Sequence, residues 1–179
     1  GFSITRAREG RIYTIFAAPV ERVTEYPRPA KPTKTYRIGI AVPHLSNPHY
    51  IGQAYGYLDE AEQLGVQATL LEAGGYQYLD KQVSQIEDLV ASKVDAIILV
   101  AVSGPGTVGV VEEAAKAGIP VVNVNVMTDS DQVVTRVRSD DDVIGRMHAD
   151  FMGERLRGMG NVVMLRGAPG TSWAEIRGN

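Results

Sequence analysis

The stretch Tyr36-Arg37-Ile38-Gly39-Ile40-Ala41-Val42-Pro43-His44-Leu45-Ser46-Asn47-Pro48-His49-Tyr50 runs from an apolar segment through a polar, aromatic turn into helix-start residues. The same order recurs downstream. Apolar segments at 38–42, 68–71, 96–102 and 121–126 are nearly continuous rather than alternating, which predicts strands covered on both faces. They end in Pro43 to Tyr50, in Glu72-Ala73-Gly74-Gly75-Tyr76, in Val102-Ser103-Gly104-Pro105-Gly106 and in Asn123-Val124-Asn125. A parallel α/β sheet binds small molecules at the carboxyl ends of its strands, so the chemistry is expected at these turns.

Helical segments separate the strands. Ser46 and Asn47 are candidate caps, Pro48 suits the first helical position, and Ile51, Ala54, Leu58, Ala61 and Leu64 mark the expected inward face up to Gly65. A second helix carries Leu79, Val83, Ile86 and Val90 on one face and ends near Lys93. A third runs from about 107 to 117, with Val108, Val111 and Ala115 inward and Gly118 ending it. These are right-handed crossover units, and the fold class is α/β, a Rossmann-like doubly wound parallel sheet. A further strand is expected at 133–137. Beyond it come a helix with Ile144, Met147, Phe151 and Leu156 on its apolar side, a strand at 161–165, a Gly/Pro turn at 167–170 and a helix start at Ser172. Residues 1–35 differ in texture: one strand is expected at 11–20, and Pro27, Pro29 and Pro32 read as an extended linker. The expected organisation is an N-terminal extension over 1–35, an α/β lobe over 36–139, and a crossover into a second, truncated lobe over 140–179.

With 179 residues, 44% of them hydrophobic, the chain buries one core and begins a second. A net charge of -3 provides no electrostatic footprint for a phosphate backbone, so nucleic acid is not expected as a partner. No apolar run reaches the roughly 18 residues a membrane span requires, so no direct membrane insertion is expected, and no signal peptide is visible at Gly1. The absence of cysteine excludes disulfides, thiolate metal sites and a cysteine nucleophile.

Gly104-x-Gly106-x-x-Gly109 matches the dinucleotide fingerprint, with Asp129 about 20 residues on. Pro105 removes a loop amide that would face a pyrophosphate, so a plain strand-to-helix turn explains the glycines better; a nucleotide-binding enzyme stays as an alternative, and no cofactor is assigned. Asp140, Asp141 and Asp142 precede an apolar-periodic helix, where capping and the helix dipole account for them, although one of them lining a cleft is left open. His44, His49 and His148 lack the spacing of a zinc site. Ser103 and Ser172 lack a nucleophile elbow, and the chain reads as a non-enzyme. Tyr50, Tyr76 and Trp173 stand at loops or helix starts, where packing competes with an aromatic-walled pocket suited to an apolar ring or a quaternary ammonium group.

These pieces together resemble the type I periplasmic binding proteins, two-lobed receptors that catch ligand between Rossmann-like lobes. Ser46 to Tyr50 resembles the family's first ligand loop, Asp95 to Leu99 its third strand, Gly118-Ile119-Pro120-Val121-Val122 its fourth, Ser139-Asp140-Asp141 its crossover, and residues 167–178 the first turn of its C-terminal lobe. Within the family, Glu72-Ala73-Gly74-Gly75-Tyr76 with Pro43-His44-Leu45 looks most like the TorT-type trimethylamine N-oxide sensors, which partner a membrane histidine kinase. The resemblance implies a periplasmic, non-enzymatic receptor with a small-molecule ligand, and ligand contacts at Asn47, His49, Tyr50, Tyr76, Ser103, Asn125, Asp140, Asp141, Trp173 and Arg177. Tyr50, Tyr76 and Trp173 would surround a trimethylammonium group while Asn47 or Arg177 takes the oxide. The alternative within the fold is a sugar-binding component of an ABC transporter, with an ABC permease as partner.

Overall fold

The computed structural model describes the backbone of residues 2–8 and 11–16 and the whole of residues 30–178. Its strands are β1 (Phe2–Arg8), β2 (Arg11–Phe16), β3 (Arg37–Val42), β4 (Gln67–Glu72), β5 (Ala96–Leu99), β6 (Val121–Val124) and β7 (Thr135–Ser139). The helices are α1 (Pro48–Leu64), α2 (Leu79–Ala91), α3 (Val108–Lys116), α4 (Asp141–Leu156) and α5 (Ser172–Arg177). One sheet holds them in the order β2-β1-β7-β6-β5-β3-β4, parallel from β7 to β4, with the antiparallel β1–β2 hairpin added beyond β7. The single strand expected at 11–20 is seen only over Arg11–Phe16, paired with β1; residues 17–20 and the prolines at 27 and 29 lie outside the described residues.

Strand order reverses at β3, which has β4 on one side and β5 on the other. That reversal opens a crevice at the carboxyl ends of β3 and β5, the place where open α/β sheets bind ligands. The core beneath it is aliphatic: Ile40, Ile97, Leu99, Val100, Val111 and Val121 are almost wholly enclosed, each contributing about 1.5–3 kcal/mol through burial. A Cβ on Gly39 would meet Leu89 Cδ1 at 2.6 Å, so the bare glycine is what lets α2 lie close over β3.

Several expected faces are displaced. In α1 the inward residues are Tyr50, Ala54 and Ala61, while Ile51 and Leu58 face solvent; in α3 Val110, Val111 and Ala114 are buried rather than Val108 and Ala115. Helical spacing alone allows either choice when apolar residues flank both sides of the stripe. The strand over 96–102 stops at Leu99: Val100 N–H still reaches Ala41 O, but Val100 O and Val102 N–H are taken by the Gln82 amide, and β7 begins at Thr135, leaving Val133 buried in the preceding loop. No strand forms at 161–165: Val163 and Leu165 are 87% and 93% exposed. Among the described residues none is extended beside them to complete a hydrogen-bonded ladder, and an apolar run without a partner does not make a strand. The apolar side of α4 is uncovered for the same lack of a layer, with Met147 and Phe151 exposed.

Candidate functional site

The β3 and β4 end loops are built as one unit. Asn47 caps α1, its Oδ1 accepting from Tyr50 N–H at 3.0 Å, and Pro48 starts the helix, so Tyr50 is delivered to the first turn. Gly74 and Gly75 adopt φ of 101° and 149°, backbone that favours glycine, and both donate their N–H to Pro43 O at 2.8 Å. Glu72 Oε2 accepts from Leu45 N–H at 3.2 Å. This clasp brings Tyr76 onto Tyr50, and their hydroxyls hydrogen-bond to each other. Asn125 completes the rim. It is a non-glycine residue at φ 62° away from any helix end, an uncommon conformation held by its N–H to Val137 O at 2.8 Å. Its amide Nδ2 donates to His49 Nε2 at 3.1 Å and to Tyr50 OH at 3.4 Å, and Gln53 Nε2 stands 3.2 Å from the same His49 nitrogen.

Tyr50 is 3% exposed, so its ring belongs to the core and its hydroxyl is the part that reaches the rim. Burial, and then the hydrogen bond to Tyr76, push this phenol upward, and burial pushes Tyr57 to about 12. Both rings are therefore neutral hydroxyl groups throughout the physiological range.

Two fully buried amides support the strand ends. Gln82 donates to Val100 O at 3.0 Å and accepts from Val102 N–H at 2.8 Å. Asn123 donates to Leu99 O and Val126 O, both at 2.9 Å, and accepts from Thr128 N–H at 2.7 Å. Sequence reading assigned neither a bracing role; the available signal was an amide inside an otherwise apolar face, which in a core must be fully bonded. Ser103 also serves the fold, its Oγ accepting from Gly106 N–H at 3.2 Å and its carbonyl from Thr107 Oγ1 at 2.8 Å. That internal bonding spends the loop amides, and a Cβ on Gly104 would lie 2.6 Å from Asp129 Oδ1. With a carboxylate seated on it, the loop is unsuited to a pyrophosphate, so the nucleotide alternative loses its geometric basis.

The remaining predicted residues form a separate group. Asp140 caps α4, its Oδ1 accepting from Val143 N–H at 3.2 Å. Asp141 is buried and accepts from Arg177 Nε at 2.7 Å and Ser139 Oγ at 3.0 Å. Arg177 also stacks on Trp173, its Cζ 5.5 Å from the ring centroid. Trp173 and Arg177 line a cavity of about 880 Å³ with α4 and residues 158–166, and Tyr50, Tyr76 and Asn125 take no part in its lining. Tyr76 and Trp173 both pack, partly buried, against the core cluster that holds the Tyr50 ring, and of the three only Trp173 lines this cavity.

A parallel sheet with a switch-point crevice rimmed by hydroxyl, amide and imidazole groups has the architecture of one lobe of a periplasmic binding protein. The chain belongs to the type I periplasmic binding proteins: the periplasmic binding protein domain family matches residues 38–178. It is 32% identical over 160 residues to the ribose import binding protein RbsB of Bacillus subtilis, covering 87% of this chain and 52% of that protein. Among solved structures it resembles an ABC transporter solute-binding protein from Bradyrhizobium sp. BTAi1 with bound bis-tris (29% identity, TM-score 0.70, 99% of this chain and 53% of that one). It also resembles the fructose-binding periplasmic domain of a hybrid two-component system (29% identity, TM-score 0.75, 79% of this chain and 47% of that one). The chain spans about half the length of the curated ribose-binding relative. Among the described residues no helix is long and apolar enough to cross a membrane.

Proposed function

We propose that this chain is the N-terminal portion of a periplasmic receptor for a sugar or related polyol, which passes its ligand to an ABC permease. The observation that carries the reading is the rim of Tyr50 and Tyr76 hydroxyls, the Asn125 amide and the His49 imidazole, joined in one hydrogen-bonded chain. Hydroxyl, amide and imidazole groups that donate and accept hydrogen bonds match the hydroxyls of a carbohydrate. A quaternary ammonium group needs open aromatic faces instead, and Tyr50 has almost none to offer. The relatives named for ribose import and for fructose binding support the same ligand class. In this reading residues 36–139 form the first lobe and 140–179 the crossover and start of a second. Asp140, Asp141, Trp173 and Arg177 then belong to the crossover side, while Asn47, His49, Tyr50, Tyr76, Ser103 and Asn125 belong to the first lobe's rim. Ligand favours the closed arrangement of lobes through its differential contacts with the two halves of the cleft. A histidine kinase is the second partner, because one structural neighbour is the fructose-binding periplasmic domain of a hybrid two-component system.

A thermal-shift panel on the full-length protein tests the ligand class, using D-ribose, D-xylose, xylitol, D-fructose and trimethylamine N-oxide. Ligand at 100 times its Kd stabilises the folded state by about 2.7 kcal/mol, enough to raise Tm by several degrees with the matching sugar. A rise with the amine oxide alone would overturn the sugar reading. Tyr50→Phe, which deletes the hydroxyl shared by Tyr76 and Asn125, is expected to weaken the sugar about 5–10-fold while the fold persists, as measured by titration calorimetry.

A further inference from the structure

His44 has no part in the rim as described, yet it touches both of the rim's tyrosines. Its ring centroid lies 4.8 Å from that of Tyr50 at an interplanar angle of 84°, and 5.6 Å from that of Tyr76 at 77°. Both are edge-to-face contacts, the arrangement aromatic rings prefer. Tyr50 comes from the first turn of α1 and Tyr76 from the loop after β4, and the polar link between their side chains is the hydroxyl pair. The core fixes the Tyr50 ring, and the His49 ring also stands edge-on to it, with centroids 5.1 Å apart. Tyr76 is only partly buried, and His44 is the ring set edge-on against both tyrosines, so it adds to the hydroxyl bond in holding Tyr76 onto Tyr50.

The His44 ring is itself held. Ser46 Oγ lies 2.9 Å from Nδ1, and Ser46 N–H donates to the same nitrogen at 3.3 Å. A backbone N–H can only donate, so Nδ1 is the acceptor in this contact. At the preceding residue, Pro43 O accepts from both Gly74 and Gly75, which fixes the spacing of the two loops that contribute the tyrosines.

From these contacts we infer that His44 is a positioning residue for the ligand site, a wedge whose ring holds the Tyr50 and Tyr76 hydroxyls aimed at the rim. The inference rests on the sugar-receptor reading for its effect on affinity, but the wedge itself is a property of the ligand-free protein. Its consequence is preorganisation: a rim already ordered spares the ligand the cost of ordering it.

The test uses the full-length protein as wild type, His44→Ala and His44→Phe, with far-UV circular dichroism as the check on folding. Two readouts are taken: the Kd, by calorimetry, for whichever of D-ribose, D-xylose, xylitol or D-fructose stabilises the wild type most, and the NMR signal of the Tyr50–Tyr76 hydroxyl proton in ligand-free protein. His44→Ala is expected to lose the hydroxyl signal and to weaken binding by about 10-fold, the loss of two edge contacts. His44→Phe keeps the ring edges and is expected to retain the signal and stay within about 2-fold of wild-type Kd. An alanine variant that keeps the signal overturns the wedge, as does a phenylalanine variant that loses as much as alanine. If the wild type binds none of the sugars, it is the sugar reading that fails, and the hydroxyl signal in the ligand-free variants still decides the role of His44.

Discussion

Asn123→Ala is expected to cost the folded state about 3 kcal/mol and to lower the urea midpoint by about 1–2 M. The side chain is fully enclosed and makes bonds to Leu99 O, Val126 O and Thr128 N–H, at 2.9, 2.9 and 2.7 Å. Alanine removes its amide and strands those backbone groups in the interior, and a buried unpaired group costs about 1–3 kcal/mol before relaxation. Relaxation is restricted here, because Thr128 Oγ1 is also tied to Thr107 Oγ1 at 2.9 Å. The loss should extend to the candidate site, since Asn123 holds the turn from which Asn125 projects. A midpoint within 0.3 M of wild type, about 0.5 kcal/mol, would show that this network does not brace the strand ends.

Arg177→Met is expected to destabilise the protein by about 2–3 kcal/mol. It removes the guanidinium that holds Asp141 at 2.7 Å and leaves a 3%-exposed carboxylate with Ser139 as its side-chain partner. Breaking a fully buried pair costs about 3–5 kcal/mol; the lower figure applies because the Arg177 side chain is 35% exposed and partly screened by water. The double variant Asp141→Leu/Arg177→Met should recover about half of that loss, since neither charge is then left alone. Additive losses in this cycle would mean that the two side chains act independently. Gly145 stands at the same contact: a Cβ there would meet Arg177 O at 2.9 Å, so α5 approaches α4 through its bare backbone.

Much of the first lobe was legible from residue order. Asn47, Pro48 and Gly65 bounded α1 correctly because caps and helix stops are local chemistry: Asn47 bonds Tyr50 N–H three residues on, and Gly65 takes φ 72°. The strands at β3 to β6 were marked by apolar runs between turn residues, and Gly74-Gly75 marked a backbone open to glycine. Helix faces were less legible. Ile51 and Leu58 fit the periodicity as well as Tyr50 and Tyr57 do, and which set turns inward depends on how α1 docks against β4, a contact between distant segments.

The sequence by itself determined the α/β class and the resemblance to periplasmic binding proteins, and it pointed to the strand ends as the candidate site, since each rests on spacing within a few residues. Only the tertiary structure decided how the candidate residues are used. It buried the Tyr50 ring and left its hydroxyl, joined Tyr76 and Asn125 to it from other strands, and paired Asp141 with Arg177 across 36 positions of chain. A side chain's chemistry depends on which of its faces is covered and which partner takes its hydrogen bonds, and both are set by neighbours that the order of the strands in the sheet brings together.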